Sequence, residues 1–162
     1  MRKPAKPAAS APPATQLAGF IAKFDPKIAR VIRSARQVLR KRHPTTNELV
    51  YDNYNFFVIG FSTTERPSDC MFSLAANAKG VGLSFYYGST LPDPHKILLG
   101  SGNQNRFIRL ESAATLAKPE VQELLLAAVA QADPPLRRSG QSRLIIRSVA
   151  AKQRPRRLAT KG

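Results

Sequence analysis

Three consecutive runs of alternating apolar residues, between Asn55 and Tyr87, restrict what this chain can fold into more than any other feature. Phe57, Ile59 and Phe61 fall two apart. So do Phe72, Leu74 and Ala76, and again Val81, Leu83, Phe85 and Tyr87. A repeat of two puts side chains on one face of a strand. A polar break separates the first two runs and Lys79-Gly80 the last two. The pattern predicts an antiparallel meander with one apolar face, which the rest of the chain has to cover.

The covering elements read as helices. Residues 1–13, made of Pro, Ala and Lys with little else, cannot bury a core and are expected to be a disordered arm. A first helix is expected from about Thr15, with Leu17, Phe20, Ile21 and Phe24 on one stripe. Asp25-Pro26 joins a good N-cap to the favoured first-position proline. It predicts a second helix from Pro26 to about Arg42, buried through Ile28, Ile32, Ala35 and Leu39. His43-Pro44 ends it, because the residue before proline avoids the helical region. Residues 47–54 read as a short strand and turn leading into the meander. Asp93-Pro94 repeats the capping pattern and predicts a short helical turn through His95 to Leu99. Arg106 to Leu110 reads as a fourth main strand. Pro119 opens a last helix to about Ala132, with Val121, Leu124, Leu125 and Ala128 on its apolar face. Helices gather at the ends of the sequence and strands in the middle, without alternation. The expected fold is therefore α+β: a mainly antiparallel sheet of four to five strands, with two N-terminal helices and one C-terminal helix packed on it. The domain is placed at 15–134, between a basic arm (1–14) and a basic C-terminal tail (135–162). Leu144-Ile145-Ile146 and Val149 interrupt the tail with an apolar patch too small to fold alone. It could dock as an added edge strand or order on a partner. At least residues 150–162 are expected to be disordered in the free protein.

The charge follows this division. The chain carries 26 Lys and Arg against 10 Asp and Glu, a formal net charge of +16. All ten acids lie within 15–133 beside 14 cations, whereas 134–162 holds nine cations and no acid. The excess belongs mainly to appendages, which points to nucleic acid or another polyanion as a partner. The candidate contacts are Arg137, Arg138, Arg143, Arg147, Lys152, Arg154, Arg156 and Arg157, with Lys161 beyond them and Arg33, Arg36 and Arg40 on the second helix. The tail has no Phe, Tyr or Trp, so such contact is expected to be indifferent to sequence and sensitive to salt. The single cysteine, Cys70, cannot form an internal disulfide and reads as a small buried hydrophobe in a reducing compartment. No apolar run approaches the roughly 20 residues of a membrane helix, and residues 1–20 lack a signal-peptide apolar region. A cytoplasmic protein without a membrane partner is expected.

Catalytic patterns are scarce. His43 and His95 have no second His or Cys at ligand spacing, so no metal and no cofactor are expected. No nucleophile motif is present, and Gly100-Ser101-Gly102 reads as a turn. No residue is assigned a catalytic role. Tyr51, Tyr54, Tyr86, His95 and Arg106, with Asp52, Tyr87 and Arg109, form a polar-aromatic set that could line a pocket beside the sheet. The alternative is that the rings are partly buried with wet hydroxyls and the arginines neighbour acids across strands.

The Phe-Asp-Pro junction, Glu48-Leu-Val-Tyr51, Leu83-Ser-Phe-Tyr-Tyr-Gly88 and Leu98-Leu-Gly-Ser-Gly102 leading to Arg106-Phe-Ile-Arg109-Leu110 resemble the YdhG-like family, a domain family of unknown function. The resemblance covers about residues 15–133. Tyr51-Asp52-Asn53-Tyr54 stands where many members have an aromatic-Gly-x-Pro turn. The resemblance implies a small cytoplasmic α+β domain, mostly without an assigned activity. With the basic tail and no catalytic motif, the expected role is a non-enzymatic binding or adaptor module, with an enzyme of unrecognised site as a further class. One branch of the family is described as frataxin-like, which leaves an iron or small-ligand carrier as the alternative. Iron prefers oxygen ligands, and ten acids against 26 bases offer few.

Overall fold

The apolar alternation folds as strands that pair in chain order. In the computed structural model, which describes residues 11–159, these are β1 (Asn47–Asp52), β2 (Phe57–Ser62), β3 (Cys70–Asn77), β4 (Gly80–Phe85) and β5 (Arg106–Leu110). Each pairs antiparallel with the next. The register sets Val50, Ile59, Leu74, Leu83 and Ile108 in one row across the sheet, all buried. Phe57 with Ala76, and Phe61 with Phe72, fill the rows on either side. Tyr87 closes the alternation in sequence but lies past the end of β4 and is 40% exposed.

Three helices cover that apolar face: α1 (Pro13–Ala22), α2 (Pro26–Arg42) and α3 (Pro119–Ala130). The Asp25 carboxylate accepts from the Lys27 amide and caps α2, with Pro26 in its first turn. Helix α2 is buried through Ala29, Ile32, Ala35 and Leu39, while Ile28 is only partly covered. Phe24, Phe57, Phe61, Phe72 and Phe85 are the largest fully buried side chains. No helix among the described residues is long and apolar enough to cross a membrane.

Helix α1 begins at Pro13, inside the arm expected to be disordered. The architecture departs further from the expected one in two places. The sheet has six strands and is mixed, because β6 (Leu144–Val149) lies parallel to β1 and gives the order β5-β4-β3-β2-β1-β6. Without it β1 would be an open edge of unpaired backbone groups. The chain stays docked beyond the strand: the Ala150 amide donates to the Asp52 carbonyl, the Arg154 amide donates to the Tyr54 carbonyl, and Arg156 is 5% exposed. The disorder expected from residue 150 onward therefore does not hold for 150–159. Residues 1–10 and 160–162, the outer parts of the two tails, lie outside the described residues. The second departure is at Asp93-Pro94. A single turn forms, the Lys96 amide donating to the Asp93 carbonyl at 3.1 Å, but no helical turn continues to Leu99. The Asp93 carboxylate accepts from the Ile97 and Leu98 amides at 3.0 and 3.1 Å, and Lys96 takes a left-handed φ of 52°. Aspartate can cap its own downstream amides in a loop as well as at a helix start.

Candidate functional site

The register of β1 puts two carboxylates, Glu48 and Asp52, on the helix-covered side of the sheet, where an unpaired charge would be costly. Arg36 of α2 meets Glu48 with two parallel hydrogen bonds, Nε to Oε2 at 2.6 Å and Nη2 to Oε1 at 2.9 Å; Arg40 stands 3.3 Å away. Asp52 is held by Lys23 at 2.6 Å and by Arg156 at 2.9 Å. Burial alone would raise the Asp52 carboxyl, but hydrogen bonds from Lys23, Gln153 and Arg156 outweigh it and hold the group below the usual carboxylate range. Arg156 also donates to the Asn53 carbonyl, and its guanidinium lies 5.8 Å from the Phe24 ring centroid. Its Nε and Nη1 are buried without partners. Of the cations assigned to polyanion contact, Arg156 is thus an interior residue, and Arg36 and Arg40 are engaged by Glu48.

Arg33 lies on α2, and the described cations of the C-terminal segment flank the β6 edge. Arg137, Arg138 and Arg143 precede the strand, Arg147 lies in it, and Lys152, Arg154 and Arg157 follow it. Thr45 Oγ1 donates to the Arg137 carbonyl and ties the start of the segment to the end of α2. Arg143 pairs with Glu65 at 2.8 Å, Arg154 lies over the Tyr54 ring at 5.6 Å, and Arg157 Nε donates to the Lys23 carbonyl. Arg33, Arg138, Arg147 and Lys152 are exposed and form no ion pair among the described residues. Lys161 lies outside the described residues. Where α2 ends, Arg40, Lys41, His43, Pro44, Thr46 and Ser142 line a cavity of about 230 Å³. Burial, and then the charge of Arg42, lower the His43 imidazole below its ordinary value, and its ring packs 5.4 Å from that of Phe72.

The polar-aromatic set does not converge on one pocket. Asp52 faces the helices, whereas Tyr51 alternates to the other side of β1. Tyr54 sits in the turn after β1 and is 50% exposed. His95 Nε2 lies 3.2 Å from the Glu123 carboxylate of α3. Arg106 donates to the Gly102 and Asn105 carbonyls and braces its own loop. What the fold does assemble is a second sheet face, turned away from the helices, with Leu49 and Gly60 buried and the positions on β3, β4 and β5 half-exposed or exposed. Its outward rows read Tyr51, Val58, Ala75, Gly82 and Arg109, then Leu49, Gly60, Ser73, Ser84 and Phe107. The middle of each row is small. Tyr86 and Tyr87 stand at one end, edge-to-face with centroids 4.8 Å apart, and the Tyr87 hydroxyl donates to the Ser68 carbonyl. The Tyr51 hydroxyl is buried without a partner; burial, then the neighbouring Cys70, raises its pKa. Burial pushes the Cys70 thiol up to about 11, so it is a packed hydrophobe and not a nucleophile at neutral pH. Phe107 and the small outward positions were not singled out from sequence. Their signal was present, in the small residues Gly60, Ser73, Ala75, Gly82 and Ser84 interleaved with the apolar repeat.

Among the described residues no three His, Cys, Asp or Glu side chains stand together as a metal-holding group. Comparison of the chain with protein-family models, with curated proteins and with solved structures found no match in any of the three.

Proposed function

We propose that the protein is a non-enzymatic, YdhG-like binding module that holds the phosphate backbone of a nucleic acid along the sheet edge built by β6. The observation that supports this reading is the docking of the basic C-terminal segment. Its pairing with β1 turns a run of cations into a fixed stripe flanking a strand about 20 Å long at ~3.3 Å per residue. Glu48 and Asp52, the acids nearest to β6, are already engaged by Arg36, Arg40, Lys23 and Arg156, which leaves Arg138, Arg147 and Lys152 free for phosphates. Binding of this kind is driven by counterion release and steepens with the number of phosphates met.

The test is fluorescence anisotropy with a labelled oligonucleotide from about 50 to 200 mM salt. Charge reversal suits it better than truncation, because removing 144–157 would strip β1 and Asp52 of their partners. The parent chain should lose log K against log salt with a slope of roughly 0.7 to 0.9 per phosphate met. Reversing Arg147, Lys152 and Arg154 to Glu together should cut that slope by about two to three such increments. Reversing Lys79 and Lys96, exposed cations on other loops, should leave it nearly unchanged. Equal losses from the two sets, or no binding at the lowest salt, would rule this reading out.

A further inference from the structure

We propose that the sheet face turned away from the helices is a platform on which the bases of a single-stranded nucleic acid stack. The inference rests on the nucleic-acid reading above and names the form of ligand that reading leaves open. All three helices pack on one side of the sheet; on the other side Leu49, Gly60 and Cys70 are buried toward β1 and β2, and the surface from Val58 across β3, β4 and β5 is half-exposed. The half-exposed part of that side is a bed of mostly small outward residues: Val58, Ser73, Ala75, Gly82 and Ser84. Gly60 bounds the bed: it is buried, and a Cβ there would come 2.8 Å from Cys70 Sγ. Rings stand around the bed. Tyr86 and Tyr87 are 41% and 40% exposed and Phe107 is half-buried on β5, while Tyr51 on β1 is half-buried with its hydroxyl inside. Exposed rings beside a floor of small side chains leave flat area against which a planar group can stack.

The charge decides between occupants. No outward position of the six strands carries Asp or Glu, and Arg109 and Arg147 stand exposed at the two margins without ion pairs among the described residues. Asp69, beside the Tyr87 rim, is engaged by Thr64 and faces Arg66 at 4.0 Å. A second copy of this chain would set like charges against each other. A duplex keeps its bases stacked inside and offers the floor nothing flat. An unpaired strand brings planar bases for the rings and phosphates for the margins, the combination used by sheet-face readers of single strands. Arg147 belongs both to this face and to the β6 stripe, so a strand crossing the sheet can pass directly onto the basic edge.

The experiment compares a short single strand of mixed sequence with the duplex of the same length, by anisotropy at one salt concentration. It uses the full chain, Tyr86→Ala, Tyr86→Phe and the Lys79→Glu control. Tyr86 is exposed, so truncating it leaves the core intact. The single strand should bind more tightly than the duplex. Tyr86→Ala should weaken the single strand by about 5- to 150-fold, the range for one stacked base, and leave the duplex unchanged. Tyr86→Phe keeps the ring and should match the parent. Equal affinity for strand and duplex, with Tyr86→Ala like the parent, would overturn the platform while the edge reading stands. A stable dimer in sedimentation that Tyr86→Ala dissociates would overturn it in favour of a second copy. Absence of binding to either probe would remove both readings.

Discussion

Asp52 has no exposed surface, yet Lys23 and Arg156 reach it from opposite ends of the chain, and that contact keeps it ionised. Burial favours the neutral acid; the hydrogen bonds from Lys23, Gln153 and Arg156 prevail, so the folded group titrates below its ordinary 3.8. A depressed carboxylate adds stability that is complete above the unfolded value and is lost as pH falls through the folded one. The loss therefore belongs below about pH 4. Asp52→Asn keeps the shape and strands Arg156, already short of partners at Nε and Nη1. Breaking a buried pair in this way costs about 3–5 kcal/mol. Urea unfolding should show that loss at pH 7 and a flatter acid limb between about pH 4 and 2 than in the parent. A variant as stable as the parent at pH 7 would mean that the pair does not anchor the segment. None of this was legible in the sequence. Arg156 is one of nine cations in the last 29 residues, and its partner is 104 positions away.

Elements whose signals are local were legible, and the one whose signal is distant was legible only as one of two alternatives, an added edge strand or a segment ordered by a partner. Helix α2 follows the Asp-Pro cap and its apolar stripe, and β2 to β5 follow the repeat of two. Strand β6 has only three consecutive apolar residues, between Arg143 and Arg147, and its partner β1 lies about a hundred residues back. As an edge strand it is only partly buried, so its pattern is weak even in the folded chain. The Asp93-Pro94 signal failed for another reason: the same carboxylate that caps a helix also closes a loop. The site divided the same way. Its cations were visible by composition, but which of them turn inward depends on Glu48 and Asp52 facing the helices. A consequence follows for proteolysis. Residues 137–142 are exposed and outside any element, whereas 144–156 are tied to β1 and its turn. Brief trypsin treatment should cut at Arg137 or Arg138, and the two pieces should stay together in size-exclusion chromatography. Release of a free C-terminal piece, leaving a folded core that ends near 135, would show that β6 does not hold the segment.

At the scale of the whole molecule, the fold separates apolar burial from charge. Helices and core occupy one side of the sheet, while cations collect along the β6 edge and on the outer side of α2. Within 11–159 there are 22 Lys and Arg and all ten acids, so the folded chain repels itself. Two effects of an added polyanion must then be told apart. Screening relieves repulsion in proportion to ionic strength, and sodium chloride does it as well as any salt. Binding stabilises the native state by RT ln(1 + [L]/Kd), about 2.7 kcal/mol at a hundredfold excess over Kd. At roughly 2–4 °C per kcal/mol for a chain of this size, a single-stranded oligonucleotide should raise Tm by about 5–10 °C. Sodium chloride at matched ionic strength should raise it by much less. The oligonucleotide increment should shrink in the Arg147, Lys152 and Arg154 charge-reversed chain, while the salt increment persists. Differential scanning calorimetry measures both. If the two additives give the same shift at the same ionic strength, the charge serves only solubility and the molecule has no polyanion site.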